Sequence, residues 1–131
     1  MAPTFLSLDE ILEIHKDQIA RYGGMAGIRD LGLLQSALAQ PQATFGGQFL
    51  HTDLIEMAAA YLFHIVQNHP FIDGNKRTAF AATYTFLAIN GAELTANAEH
   101  AYAFISGLYA KGEFSFDKLV PWLRSNLNLG S

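Results

Sequence analysis

Apolar side chains along this chain recur at helical spacing, and no stretch alternates convincingly enough to read as a strand. Ser7 followed by Glu10 makes a capping box that opens a helix from Leu8 to about Arg21, with Leu8, Ile11, Leu12, Ile14 and Ile19 on its apolar face. Tyr22-Gly23-Gly24 ends it, because glycine closes helices readily. A second helix is predicted from about Asp30 to Gln40, stopping before Pro41. Phe45-Gly46-Gly47-Gln48-Phe49 reads as a flexible connection or a small hairpin. Asp53 and Glu56 open a third helix from about Leu54 to Asn68. A fourth runs from about Asn75 to Asn90 and stops at Gly91. These two are apolar nearly all round, which places them at the centre of a domain with the other helices about them. Two more helices, from about Ala98 to Lys111 and from Phe116 to Leu127, start at Asn97 and Ser115 as N-caps. The expectation is an all-α fold, a single domain over residues 1–131 with about six helices and a central helix–loop–helix.

Composition narrows the function. Half of the 131 residues are hydrophobic and only 15% are charged, which suits one compact core and excludes a disordered tail. The net charge of -4 argues against direct nucleic-acid binding and against an anionic membrane surface. No window approaches the ~18 uninterrupted apolar residues of a spanning helix. Met1-Ala2-Pro3-Thr4 lacks the charged and apolar regions of a signal peptide, so a cytoplasmic location is expected. The absence of cysteine excludes a disulfide framework and a thiolate metal site.

The chemistry concentrates in nine residues between the two central helices, His69-Pro70-Phe71-Ile72-Asp73-Gly74-Asn75-Lys76-Arg77. Pro70 disfavours helical geometry at His69, so the third helix should end there. Gly74 relieves the backbone where the chain turns into the fourth helix, whose first turn offers unpaired amide donors to an anion. Lys76 and Arg77 fall in that same turn, where cations are disfavoured by ~0.3–1 kcal/mol each against the helix dipole. A polyanionic ligand explains their placement; a purely structural role does not. Asp73 offers partial compensation and can hold a magnesium ion against phosphate oxygens. Histidine is the side-chain type suited to taking a proton from an attacking hydroxyl near neutral pH, which makes His69 the candidate base. Phe71 and Ile72 are expected to point inward, Phe71 as an anchor. Taken singly, His69 reads as a helix cap, Asp73 as an N-cap, Asn75 as a turn residue and the Lys-Arg pair as a solvated face. Together they favour a phosphate-handling site.

This constellation resembles the signature of the Fic/Doc superfamily, His-x-Phe-x-(Asp/Glu)-Gly-Asn-x-(Lys/Arg), matched at His69, Phe71, Asp73, Gly74, Asn75 and Arg77. Outside the motif, Gly23-Gly24, Gly27-Ile28-Arg29-Asp30, Gly32-Leu33-Leu34, Ser36-Ala37-Leu38, Pro41 and Asn90-Gly91 are similar to the death-on-curing (Doc) branch. Adenylyl-transferring relatives carry glycine where this chain has Lys76, and a second arginine where it has Phe80. Both departures resemble Doc toxins. The resemblance therefore implies a toxin that transfers the terminal phosphate of ATP to a threonine of translation elongation factor Tu, stopping translation. It further implies His69 as general base, Asp73 as a magnesium ligand assisted by Asn75, the amides of Gly74 and Asn75 on phosphate oxygens, and Lys76 and Arg77 neutralising charge during transfer. The Phe45–Phe49 connection would serve as a flap that aligns the target strand, or as a plain surface loop.

The resemblance also implies a cognate antitoxin, a partly disordered chain that folds against a groove on the toxin. An internal inhibitory helix of the kind many Fic proteins carry is not expected. Its nearest counterpart is Thr95-Ala96-Asn97-Ala98-Glu99, which reads more simply as a helix start capped by Asn97. Three rival functions stand beside the kinase: an adenylyltransferase acting at the same loop, a non-catalytic nucleotide- or partner-binding protein, and a metal hydrolase using His64, His69 and Asp73. The five-residue step between His64 and His69 turns them off one helix face, unlike a zinc helix.

Overall fold

The computed structural model of the chain describes residues 2–128. Met1 and residues 129–131, which the single-domain expectation includes, lie outside the described residues. Six α-helices account for most of what is described: α1 Leu8–Tyr22, α2 Leu31–Ala39, α3 Leu54–Asn68, α4 Asn75–Ile89, α5 Ala98–Ala110 and α6 Phe116–Ser125. No helix among the described residues is long and apolar enough to cross a membrane.

The helix starts follow local capping chemistry. The Ser7 hydroxyl accepts from the Glu10 amide while the Glu10 carboxylate accepts from the Ser7 amide, closing the capping box of α1. Asp30, Asp53 and Asn97 cap α2, α3 and α5, accepting from the amides of Leu33, Glu56 and His100. Ser115 occupies the N-cap of α6 but makes no side-chain capping bond. Helix α2 ends at Ala39, before Pro41 as expected, and Gln40–Gln42 follow as one turn of 3-10 helix that admits the proline early in the turn.

Helices α3 and α4 pack against each other more extensively than any other pair; α2 and α6 lie on α3, and α1 and α5 on α4. Tyr61, Leu62 and Ile65 of α3 and Ala79, Ala82, Phe86 and Leu87 of α4 are fully buried in the core they share. Alanines at the crossing let the two backbones approach, and larger side chains from the flanking helices, including Ile11, Leu34, Ile105, Leu119 and Leu123, complete the core.

Four two-residue strands supplement the helices. Thr44–Phe45 (β1) and Gln48–Phe49 (β2) form an antiparallel hairpin across Gly46-Gly47, both at positive φ, as a tight two-residue turn requires. Glu93–Leu94 (β3) pairs antiparallel with Leu127–Asn128 (β4). That second pairing was not readable as a strand pattern, and it shortens the last helix, which stops at Ser125 and not Leu127. The opposite end of the chain is tied down as well: the Asn90 side chain accepts from the Thr4 amide and donates to the Thr4 carbonyl.

Tyr61 links the N-terminal segment to the core. Its buried hydroxyl accepts from the Leu6 amide at 2.9 Å, and burial pushes its pKa up to about 12. Tyr61→Phe leaves the Leu6 amide buried without an acceptor and should lower stability by about 1–3 kcal/mol, measured by urea unfolding followed by circular dichroism.

Candidate active site

Helix α3 ends at Asn68, and His69 takes a left-handed conformation with φ 50° and ψ 54° as its C-cap. The break falls where the proline demands it, but the backbone bends left-handed and not extended. No other described non-glycine residue has positive φ, and the turn aims an exposed imidazole into a cleft. The carbonyls that α3 leaves open are taken by Arg29, whose guanidinium donates to Asn68 at 2.9 Å and to His69 at 2.6 Å. The amides of Arg29 and Asp30 both reach the Pro70 carbonyl, and the Ile72 amide reaches the Gly27 carbonyl. The connection between α1 and α2 is thus laced along one side of the motif loop.

Other contacts hold the loop from within and below. The Asn75 side chain accepts from the Phe71 amide and donates to the Phe71 carbonyl, each at 2.9 Å. Phe71 is fully buried, as expected of an anchor, and its ring stacks on His15 at 3.8 Å between centroids. His15 Nε2 lies 2.8 Å from the Asp73 carbonyl oxygen and donates to it in the matching tautomer. Gly74 sits at φ 77°, and a Cβ there would stand 3.1 Å from Ile19 Cδ1. Glycine suits this step for the angle, and an added Cβ would also crowd the end of the Ile19 side chain.

A cleft of about 440 Å³ opens above the loop, lined by His69, Asp73, Gly74, Asn75, Lys76 and Arg77, with Tyr22, Gly23, Gly24, Ile72 and Tyr102 completing the wall. Every residue that the phosphate-handling reading names as catalytic, phosphate-binding or metal-binding lies on this one cleft. Lys76 places its ammonium 4.7 Å from the Tyr109 ring centroid. Arg77 has its guanidinium carbon 3.7 Å from the Tyr22 ring and 4.2 Å from the Tyr102 ring. Glu99 Oε1 stands 3.6 Å from Arg77 Nη1, an ion pair without a hydrogen bond.

Several expectations need correction. Ile72 points outward and is 41% exposed, because its neighbour Phe71 takes the inward position. Asp73 is not an N-cap: Gly74 holds that position, and Asp73 Oδ2 accepts from the Met25 amide at 2.8 Å. Asn75 does not offer its side chain to a magnesium ion, since both ends of its amide are bonded to Phe71 and the residue is 6% exposed. The two cations also have compensation that the sequence did not reveal, in the tyrosine faces beside them. The β1–β2 hairpin forms, but none of its residues lines the cleft. His64 lies off the cleft, edge-on to Phe63, its pKa lowered by burial and then by the nearby charge of His51.

A magnesium site can be judged from the donors present. No group of three or more His, Asp or Glu side chains that could hold a metal occurs among the described residues. Asp73 keeps Oδ1 without a hydrogen-bond partner among the described residues. One free carboxylate oxygen in a cleft suits magnesium, which takes most of its ligands from water and nucleotide phosphates.

The sequence profile of the Fic/DOC family matches residues 5–87. The chain belongs to this family. Among similar proteins, the one named Toxin Doc from Mycolicibacterium smegmatis is 50% identical over 76 residues, which is 58% of each chain. The match therefore spans little more than half the length of that relative. The one named Protein kinase doc from Escherichia phage P1 is 34% identical over 119 residues, 91% of this chain and 92% of that one.

His15 and Arg29 were missed as site residues. His15 carried a signal, since it falls four residues after Ile11 and four before Ile19 on an otherwise apolar stripe. Tyr22 and Tyr102 carried none, because only the packing of α1 and α5 on α4 brings them together.

Two substitutions test the loop's construction. Asn75→Ala strands the buried Phe71 amide and should cost about 1–3 kcal/mol in urea unfolding. Gly74→Ala should cost about 1–2 kcal/mol in the same measurement, through left-handed strain and the contact with Ile19.

Proposed function

We propose that this chain is a Doc-type toxin that transfers the terminal phosphate of ATP to a Ser/Thr hydroxyl of a protein target, translation elongation factor Tu, and is restrained by a cognate antitoxin. The observation that carries the reading is the convergence of His69, Asp73, Lys76 and Arg77 on one cleft at the N-terminus of α4. Phe80 is 8% exposed and lines a different groove, between α1 and the start of α5. The position at which adenylyl-transferring relatives carry a second arginine therefore contributes nothing to the cleft. The names of the two relatives, a toxin and a protein kinase, support the same reading.

In this mechanism His69 accepts the proton of the target hydroxyl as its oxygen attacks the terminal phosphorus. The bond from that phosphorus to the bridging oxygen breaks, and ADP leaves. Lys76 and Arg77 offset the negative charge on the phosphate oxygens, helped by the free amides of the first turn of α4. Asp73 Oδ1 is the group that would hold magnesium, which when bound neutralises phosphate charge and orients the nucleotide. The protein's own contribution is placement: the bonds to Arg29, Asn75 and His15 hold the loop before any substrate arrives.

Incubation with ATP, magnesium and elongation factor Tu, followed by intact-mass analysis, tests the reading. The target should gain about 80 Da, the mass of a phosphoryl group; a gain of about 329 Da would mean adenylyl transfer instead. Nucleotide binding with no change in target mass would favour a binding protein. His69→Asn should abolish the gain while preserving the helical circular dichroism, because asparagine tolerates the left-handed backbone at that position.

A further inference from the structure

Three helices meet at the side chain of Arg77. The residue stands in the first turn of α4, Tyr22 is the last residue of α1, and Tyr102 lies in α5. Both tyrosine rings approach the guanidinium carbon within 4.2 Å, well inside the ~6 Å reach of a cation–π contact. The Arg77 side chain is only 20% exposed. Its Nη1 is buried and has no hydrogen-bond partner among the described residues. The nearest carboxylate, Glu99, stops 3.6 Å short of it and is itself 72% exposed.

A guanidinium is a fork of donors in one plane, so contacts to its face leave the donor edges for a ligand. An arginine free in solvent must be ordered when a phosphate arrives, and that ordering weakens binding. Two aromatic faces supplied by other helices can order it beforehand. A buried donor with no acceptor is unfavourable in a protein that only needs to fold, and the part of the guanidinium that lines the cleft is where a phosphate oxygen can approach. The geometry points to Tyr22 and Tyr102 as positioning residues that hold Arg77 ready for a phosphate oxygen. This rests on the phosphoryl-transfer reading of the cleft and adds to it two residues outside the motif, each acting through its ring face and not through its hydroxyl.

The test compares Tyr22→Leu, Tyr22→Phe, Tyr102→Leu and Tyr102→Phe with the unmodified chain. Both tyrosines are partly exposed, 44% and 38%, so leucine opens no cavity in the core. Three quantities are measured: MgATP binding by calorimetry, KM and kcat for transfer, and the Arg77 Nε–Hε resonance by nitrogen-15 NMR. Each leucine variant should weaken MgATP binding by about threefold to tenfold, raise KM in step and average the Arg77 resonance toward a freely rotating side chain. Phenylalanine should restore binding and the resonance to within about twofold of the original, because the ring face is kept.

Phenylalanine variants as impaired as leucine variants would overturn the inference by assigning the role to the hydroxyls. Leucine variants with unchanged MgATP binding and an unchanged Arg77 resonance would overturn it too, as would a folded original chain that fails to bind MgATP. If the original chain binds MgATP, responds to leucine as stated and yet transfers no phosphate, the transfer reading falls and the positioning of Arg77 stands.

Discussion

The motif loop has no regular structure of its own, so its shape is set by bonds reaching in from elsewhere, and Arg29 is their hub. Its main chain and side chain, with the Asp30 amide, engage the carbonyls of Asn68, His69 and Pro70. The first two are acceptors left open at the C-terminus of α3, at the negative end of its dipole, and the third follows directly after its cap. A cation placed there is favoured by the fold alone. Because α3 is closed in this way, it can stop abruptly at Asn68, and α4 can begin at Asn75 with its amides facing a cleft.

The other arginine of the site stands in the opposite electrostatic situation. Arg77 lies at the positive end of α4, beside Lys76, where the helix field repels it. Aromatic faces offset part of that repulsion without supplying an acceptor for the buried Nη1. The pair separates two roles for one residue type. Arg29 completes the protein's own hydrogen bonding, while Arg77 keeps a buried donor that no described residue satisfies. Beneath both, His15 and Phe71 form a stacked support that keeps the Asp73 carbonyl pointing inward. The carboxylate of the same residue turns back to the Met25 amide.

Much of this was legible from residues close in sequence. Capping pairs such as Ser7–Glu10 and Asp53–Glu56 are local, and they put the starts of α1 and α3 where the structure has them. The uniformly apolar faces of α3 and α4 likewise declared a central pair. Most of what escaped was set by distant partners. The loop around Ile72 is pinned by the Gly27 carbonyl, which takes the Ile72 amide, and from below by His15, 58 positions from the Asp73 carbonyl it meets. The Asn75 bonds escaped although Phe71 is only four residues away. The β3–β4 pairing joins residues more than thirty positions apart, each strand too short to show an alternation. Motif chemistry told which side chains would share the cleft; the tyrosines that hold one of them came from helix packing, which leaves no local trace.

Helix α4 spans the domain from the site at Asn75 to Asn90, where the side-chain amide grips Thr4, and the short strand beyond it receives the segment ending at Asn128. Fifteen residues of helix amount to about 22 Å. Both extremities of the described chain are therefore moored at the pole opposite the chemistry. A fluorophore carried by a described residue near either of them would stand at that pole, leaving the mouth of the cleft unobstructed.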